Sequence, residues 1–409
     1  RKGRGMLIAT TPNGEIALTE YAGSVDRLLF VREKMEQIAQ KFDGKLDHIL
    51  PTTEGELYCS DYEGQNYIAK QYLDGFECNV LQERQCIEAM QCMAKLHMAM
   101  RHLQTQQPYQ ADRLLDDFKR KDAELVRARN FMRRLSRKDE FTLMFLRAYE
   151  RYWQQTRLAQ SFLDAACLQA LERKQLTEEM YVHGDMNQHN IIMLQGKVMT
   201  FRNFEKLGAH LQMKDVYFFM RKILEKNHWS VALADQMIES YAAITPVEHA
   251  EYCYLYARFL YPEKFWKVAN GYLNRRKSLP PHRQKEKLVT FEQREEERQL
   301  FLNKWLERCR YNVLYCNRAD TDREVRRVEL RMTWNINSIR MQEEQAMKKI
   351  QKAASILLLF LLCGCGNAAT QTGTTEQVTT EAVSSDNAYA DLADSLDTAV
   401  VEKVDQEGG

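Results

Sequence analysis

The sequence predicts an α+β protein of two lobes: a small N-terminal lobe built on an antiparallel sheet and a larger, mainly helical C-terminal lobe, followed by a disordered tail. Three patterns predict it. Residues 1–80 contain strand patterns around one helix, residues 80–310 carry apolar side chains at helical spacing, and residues 366–409 turn to Thr, Ala, Gln and acidic residues. The length of 409 residues fits two or three domains of ordinary size.

The N-terminal lobe is expected to span residues 1–78. Two hairpin patterns, at 5–21 and 57–73, lie on either side of a helical pattern at 26–42. Pro12-Asn13-Gly14 marks the turn of the first hairpin, and Glu63-Gly64-Gln65 marks the turn of the second. Because the chain begins with Arg1 rather than Met, we expect this lobe to be truncated at its N-terminus.

The C-terminal lobe is expected to span residues 79–311. Apolar side chains recur at i, i+3 and i+4 in its first half, which predicts helices at 81–100, 111–136, 138–160 and 161–173. A short loop with two small strands then interrupts the helices, and Asp215 stands at the start of the next one. We interpret His97, Phe265 and Tyr272 as packing residues rather than ligands.

The most specific motif in the chain lies in that loop. His183-Gly184-Asp185 is followed by Asn190 and then by an apolar run, in the pattern H-G-D-x-x-x-x-N. The pattern resembles the catalytic loop of small-molecule kinases related to the aminoglycoside phosphotransferases, and it implies a protein kinase-like fold. In such a loop, Asp185 would be the base for a substrate hydroxyl, Asn190 a ligand of Mg²⁺, and His183 a residue that shapes the loop.

One metal-binding group that phosphoryl transfer requires is substituted. A metal-binding aspartate is expected about a dozen residues after the loop, and Asn203 stands at that position. Asparagine keeps an oxygen ligand but lacks the negative charge, and Arg202 adds a positive one, so we expect Mg²⁺ to bind poorly. Glu205 could supply some of the lost charge if its side chain turned toward the metal.

The group that should neutralise the nucleotide phosphates is also substituted. A strand lysine is expected in the N-terminal lobe, but Thr19 occupies its position. Lys70 lies on the strand that enters the interlobe hinge, Gln71-Tyr72-Leu73, where we expect a nucleotide base to bind. Two interpretations of Lys70 remain open: its side chain snorkels outward, which we favour, or it blocks the pocket or substitutes for the missing lysine.

The C-terminal residues differ in composition from the rest. We expect a linker at 312–346 that could arise from read-through, a lipoprotein signal-like segment at 347–365, and an acidic tail at 366–409. The apolar stretch is too short to span a membrane as an ordinary helix, so we expect a membrane partner only if this segment is genuine. Neither a basic stripe for nucleic acid nor cysteines at zinc-binding spacing occurs, and we read the ten cysteines as reduced intracellular thiols.

Several segments together resemble the spore coat protein CotS family, kinase-like proteins of endospore-forming bacteria, from residue 1 to about residue 311. The resemblance rests on residues 18–24, 49–52, 67–78, 94–97, 183–190 and 215–222. It implies spore coat proteins as partners, and a location in the mother-cell cytoplasm and the spore coat.

Two functions follow from these observations. With the loop intact and two charges lost, we predict a pseudokinase or scaffold in spore coat assembly. The alternative is an active phosphotransferase that uses Mg-ATP to phosphorylate a small-molecule or sugar hydroxyl, with Asp185 as base and Asn190 and Asn203 on the metal.

Overall fold

An antiparallel sheet forms the N-terminal lobe of the computed structural model, which describes residues 2–3, 5–104, 115–194, 199–274 and 282–316. The order across the sheet is β1-β2-β3-β6-β4, with β5 paired to β6. Leu7 of β2 lies opposite Leu18 of β3, so the first predicted hairpin is confirmed. The six strands are β1 (Lys2–Gly3), β2 (Met6–Thr11), β3 (Gly14–Glu20), β4 (Ile49–Leu50), β5 (Cys59–Ser60) and β6 (Asn66–Gln71).

Helix α1 (Val25–Lys41) lies between β3 and β4 in the chain and confirms the helix predicted at 26–42. The Ser24 hydroxyl accepts a hydrogen bond from the Arg27 amide at 3.3 Å, which satisfies one of the free N–H groups at the start of the helix. The Arg27 Nε atom donates to the Glu205 carbonyl at 3.2 Å and so ties the helix to the second lobe. The apolar side chains that α1 buries recur at helical spacing and are Leu28, Val31, Met35 and Ile38.

Among the described residues, ten helices make up most of the C-terminal lobe. The predicted packing roles of Phe265 and Tyr272 are confirmed, since both are buried and the Phe265 ring stacks on Phe145 with centroids 4.7 Å apart. The helices are α2 (Glu83–Ala99), α3 (Asp116–Arg133), α4 (Glu140–Phe162), α5 (Ala165–Thr177), α6 (Met213–Leu224), α7 (Val231–Ala242), α8 (His249–Leu260), α9 (Glu263–Leu273), α10 (His282–Gln293) and α11 (Glu295–Cys316).

Short strands frame the predicted loop. The strand β9 pairs with β10 on one side and with β7, which follows the hinge, on the other, while β8 pairs with β11. These pairings hold residues 183–190 between β8 and β9, at the junction of the lobes. The strands are β7 (Gly75–Glu77), β8 (Tyr181–Val182), β9 (Ile191–Leu194), β10 (Met199–Phe201) and β11 (Gly208–Ala209).

The expected linker, signal-like segment and acidic tail begin at residue 312 and lie almost wholly outside the described residues. Among the helices that the structure describes, none has the length and apolar character needed to cross a bilayer.

Candidate active site

The loop of residues 183–190 depends on a glycine conformation. Gly184 has a φ of +80°, in the left-handed region that favours glycine. A side chain on Gly184 would also overlap the Lys206 carbonyl oxygen. The close approach of these two backbone segments places the His183–Asp185 turn directly against the segment that follows Asn203.

Asp215, at the start of α6, fixes the His183–Asp185 turn through hydrogen bonds to its backbone. Its fully buried carboxylate accepts backbone hydrogen bonds from His183 at 2.6 Å and from Gly184 at 3.1 Å. His97 contacts Asp215 at 3.4 Å through Nε2 and the Tyr241 hydroxyl at 2.8 Å through Nδ1. Burial opposes ionisation of Asp215, but the hydrogen bonds from His97 and the His183 amide outweigh it and hold the pKa of Asp215 below its usual value.

Asp185, the predicted base, lies at the lip of the site with its side chain 45% exposed. Its Oδ2 atom forms an ion pair with Lys206 Nζ at 3.0 Å. Its backbone carbonyl accepts hydrogen bonds from Asn187 Nδ2 and from Asn190 Nδ2, both at 2.8 Å. The carboxylate therefore faces outward and is partly neutralised by a lysine that sequence reasoning had not placed in the site.

Lys70 contradicts the interpretation that we favoured from sequence. Its side chain does not snorkel outward, because the residue is only 3% exposed. Lys70 Nζ donates hydrogen bonds to Asn203 Oδ1 and, at 2.5 Å, to Glu205 Oε1. The same ammonium lies 3.4 Å from Asp47 Oδ2. A strand lysine from the hinge side thus reaches into the interior of the site and contacts the segment where the metal-binding aspartate was expected.

The two predicted metal ligands contact each other. Asn203 Nδ2 donates a hydrogen bond to Asn190 Oδ1 at 2.8 Å. Asn203 holds a left-handed backbone conformation with a φ of 69°, and its amide donates to Asp47 Oδ2 at 2.8 Å. The structure therefore brings Asn190 and Asn203 together as expected, but each side-chain oxygen already accepts a hydrogen bond.

Asp47 is a site residue that sequence reasoning missed. It precedes β4 in a segment with no recognisable motif, and only the fold brings it next to Lys70. Burial raises the pKa of the Asp47 carboxyl above its usual value, and the nearby Lys70 charge acts in the opposite direction. The cluster of Lys70, Asp47, Asn203 and Glu205 is called the lysine cluster below.

The predicted nucleotide-binding residues differ in their surroundings. Thr19 lies on β3 opposite Ile68 of β6, and its buried hydroxyl has no hydrogen-bond partner among the described residues. At the hinge, the Gln71 amide donates to the His48 carbonyl at 2.9 Å and the Tyr72 amide to the Glu15 carbonyl at 3.2 Å. Leu73 is 6% exposed and contributes to the core of the junction.

Arg202, expected to add positive charge near the metal position, is instead held away from it. Its Nη2 atom contacts Glu77 Oε1 at 3.1 Å, and its Nε atom donates to the His189 carbonyl at 3.0 Å. Glu77 also contacts His189 Nδ1 at 2.6 Å. The charge of Arg202 is thus compensated by a carboxylate from β7.

The residues present do not fit Mg²⁺. Carboxylates are its usual protein ligands, but Asp47 and Glu205 both face the ammonium of Lys70. In the described part of the chain, no group of three or more His, Cys, Asp or Glu side chains is arranged to hold a metal ion. A bound cation would compete with a cation that the protein already supplies.

Solved phosphotransferase structures with TM-scores above 0.5 share this architecture. An aminoglycoside phosphotransferase from Alicyclobacillus acidocaldarius aligns with a TM-score of 0.66 at 17% identity, over 76% of this chain and 92% of that chain. A spectinomycin phosphotransferase in complex with ADP and spectinomycin aligns with a TM-score of 0.51 at 12% identity, over 72% and 88%. A choline kinase from Cryptosporidium parvum aligns with a TM-score of 0.45 at 13% identity, over 74% and 89%.

No protein-family model matches the chain, and no curated protein gives a significant match. At these low identities, the likeness to solved structures shows the fold alone. The chain has the two-lobed protein kinase-like fold of the aminoglycoside phosphotransferases, with a small antiparallel sheet followed by a helical lobe, and the predicted fold class is confirmed.

Proposed function

We propose that this protein is a pseudokinase, in which a kinase-like fold serves as a binding scaffold and does not transfer phosphate. One observation carries the proposal: the buried ammonium of Lys70 lies among Asn203, Glu205 and Asp47. A kinase of this fold uses a metal ion at the Asn203 position to compensate the phosphate charge. Here the ammonium of Lys70 pairs with Glu205 and Asp47, the carboxylates that a metal ion would need as ligands.

The energetics of the lysine cluster support this function. Admission of Mg²⁺ would require Lys70 to leave its partners, and separating a buried ion pair costs roughly 3–5 kcal/mol. The position of the missing strand lysine is held by the neutral Thr19, which cannot replace the phosphate contact. Both cationic contacts to a triphosphate are therefore weakened in the same molecule.

The biological setting of the scaffold comes from the sequence resemblance to the CotS family. We propose a role in spore coat assembly, with spore coat proteins as partners and with the mother-cell cytoplasm and the spore coat as locations. Such a role needs a rigid fold and a binding surface but no turnover.

A second candidate is an active phosphotransferase, and a specific observation favours it. The turn that carries Asp185 is fully anchored by Asp215, as a working loop requires. Lys70 could then act as a phosphate ligand from β6 in place of Thr19, while Asp185 orients the hydroxyl of a small molecule or sugar. In this case Lys70 would have to exchange Asn203 for a phosphate oxygen when nucleotide binds.

The test is a thermal unfolding titration of the full chain with Mg-ATP, in parallel with a phosphate-transfer assay. We expect no change in the unfolding midpoint of the wild type. The triple variant Thr19→Lys, Lys70→Met, Asn203→Asp restores the usual charges, and its midpoint should rise by about 5 °C when Mg-ATP reaches a hundredfold excess over Kd. Asp185→Asn serves as the matched control, because it removes the candidate base and leaves the lysine cluster intact.

The decisive result comes from the wild type and does not depend on whether the triple variant folds. If wild-type protein is stabilised by Mg-ATP and transfers phosphate to a hydroxyl compound, and if Asp185→Asn loses the transfer, the pseudokinase proposal is wrong and the second candidate holds.

A further inference from the structure

Helix α3 changes character along its length. In its first half the charges are balanced, since Arg120 pairs with Asp117 at 2.7 Å and with Glu124 at 3.1 Å. From residue 125 to residue 138, in contrast, the chain has six basic residues and no acidic one. Six exposed residues in the second half of α3 and just after its end form what is called the basic surface below: Arg127, Phe131, Arg133, Arg134, Arg137 and Lys138.

In the part of the chain that the structure describes, the four arginines of the basic surface form no ion pair; they are Arg127, Arg133, Arg134 and Arg137. The acidic residues that follow this stretch in sequence have other partners: Asp139 caps α4 by accepting the Thr142 amide at 2.8 Å. Glu140, the next residue, pairs with Lys285 at 2.5 Å.

This arrangement is unfavourable for the isolated protein. Arg129 and Arg133 lie four residues apart on the helix, and such like-charge pairs cost roughly 0.2–0.5 kcal/mol each. The helix dipole favours cations in the last turn and offsets the cost for Arg133. It does not account for Arg137 and Lys138, which follow the end of α3 at Arg133.

An apolar feature lies within the basic surface. The Phe131 side chain is 50% exposed, although α3 has a buried face formed by Leu125, Ala128 and Met132. Phe131 and Leu135 line a groove of about 440 Å³ together with Asn130, Arg127 and Arg134. Two arginines thus line the same shallow groove as the apolar side chains of Phe131 and Leu135.

We propose that the basic surface binds an acidic peptide segment of a partner protein, with an aromatic or aliphatic side chain in the groove and carboxylates on Arg127 and Arg134. Planar guanidinium groups match carboxylates in bidentate geometry, and their charge is complementary to such a segment. Duplex nucleic acid would satisfy the arginines with its phosphate backbone, but its bases are stacked inside the duplex and would leave the Phe131 groove without an apolar partner. The proposal does not depend on the state of the lysine cluster.

The experiment measures binding of the full chain to a fluorescein-labelled twelve-residue peptide of glutamates around a central Phe-Leu pair, by fluorescence anisotropy. Arg127→Glu/Arg134→Glu should weaken binding by roughly tenfold or more, because two charge-assisted contacts become repulsive. Phe131→Ser should weaken it through loss of the apolar contact. The control Lys95→Glu/Arg173→Glu reverses two exposed cations on α2 and α5 and should leave the affinity unchanged.

Three outcomes would overturn the proposal. One is equal loss of affinity in the control and in the Arg127→Glu/Arg134→Glu variant, which would indicate a general charge effect. Another is unchanged binding of a peptide with Gly-Gly in place of Phe-Leu. The third is tighter binding of a labelled single-stranded oligonucleotide of matched charge, which would assign the surface to nucleic acid.

Discussion

The ammonium of Lys70 donates a hydrogen bond to the side-chain oxygen of Asn203, across a sequence separation of 133 residues. These two residues come from different lobes, one from the strand before the hinge and the other from the segment after the catalytic-type loop. Their contact changes the structural role that the sequence had suggested for each residue. Lys70 is a component of the site rather than a surface residue, and Asn203 accepts a hydrogen bond where an aspartate would bind metal.

The first prediction concerns the stability that Lys70 provides. Lys70→Met should lower the free energy of unfolding by roughly 3–5 kcal/mol, because it leaves Asp47 as a buried charge without its cation. The double variant Lys70→Met/Asp47→Asn should recover part of the loss, since it removes that charge and keeps an oxygen for the Asn203 amide. Urea denaturation measures both. A cost below about 1 kcal/mol for Lys70→Met would show that the ammonium is not buried in the lysine cluster.

The second prediction concerns the turn beneath Asp185. Gly184→Ala should destabilise the protein by at least roughly 1–3 kcal/mol, because it places a side chain at a positive φ. The new side chain would also overlap the Lys206 carbonyl oxygen. Gly208→Ala is the matched control: its nearest neighbouring atom would lie 3.8 Å from the new Cβ, and its φ is not positive. The control should stay within about 0.5 kcal/mol of wild type in urea denaturation. Equal effects of the two substitutions would contradict this account of the turn.

The third prediction is a pH dependence that involves His210. Burial lowers the pKa of His210 from 6.5 to about 3, so the folded protein resists a proton that the unfolded chain accepts. Its contribution to stability is therefore present above pH 6.5 and is lost as the pH falls toward 3. At pH 5 the loss should be roughly 2 kcal/mol for this one residue.

The measurement compares urea denaturation of wild type and His210→Gln at pH 7 and at pH 5. The variant should lose less stability between the two pH values, whatever its absolute stability, because glutamine does not titrate. Asp47 and the other buried groups are common to both proteins and cancel in the comparison. Parallel pH slopes would mean that His210 is protonated in the folded state.

Part of the fold could be read from local sequence patterns. The first hairpin, the helix at 26–42 and the four helices before the loop follow from apolar periodicity and turn residues, which act over a few neighbouring positions. The loop itself was recognisable because Asp185 and Asn190 are fixed in spacing by a single short turn. These features depend on contacts that are close in sequence.

The burial of the Lys70 side chain could not be predicted in the same way, although the burial pattern along β6 pointed to it. Ile68 and Lys70 lie two residues apart on β6, and both are buried, as the alternation of a strand requires for side chains on one face. The expectation that a lysine snorkels outward outweighed this alternation. Only the partners on the opposite side of the junction make burial of the charge favourable.

The sequence by itself was enough to predict a protein kinase-like fold, with Asp185 and Asn190 at the spacing of a catalytic loop and with the neutral residues Thr19 and Asn203 where charged ones were expected. The tertiary structure decided which side chains contact the expected metal-binding position. Asp47, Lys70, Asn203 and Glu205 are distant in sequence, and the strength of their interaction depends on mutual distance and on exclusion of water, which exist only once the lobes have packed. Because of this packing, the ammonium of Lys70 lies beside Asn203 and Glu205, where the sequence had suggested a metal ion.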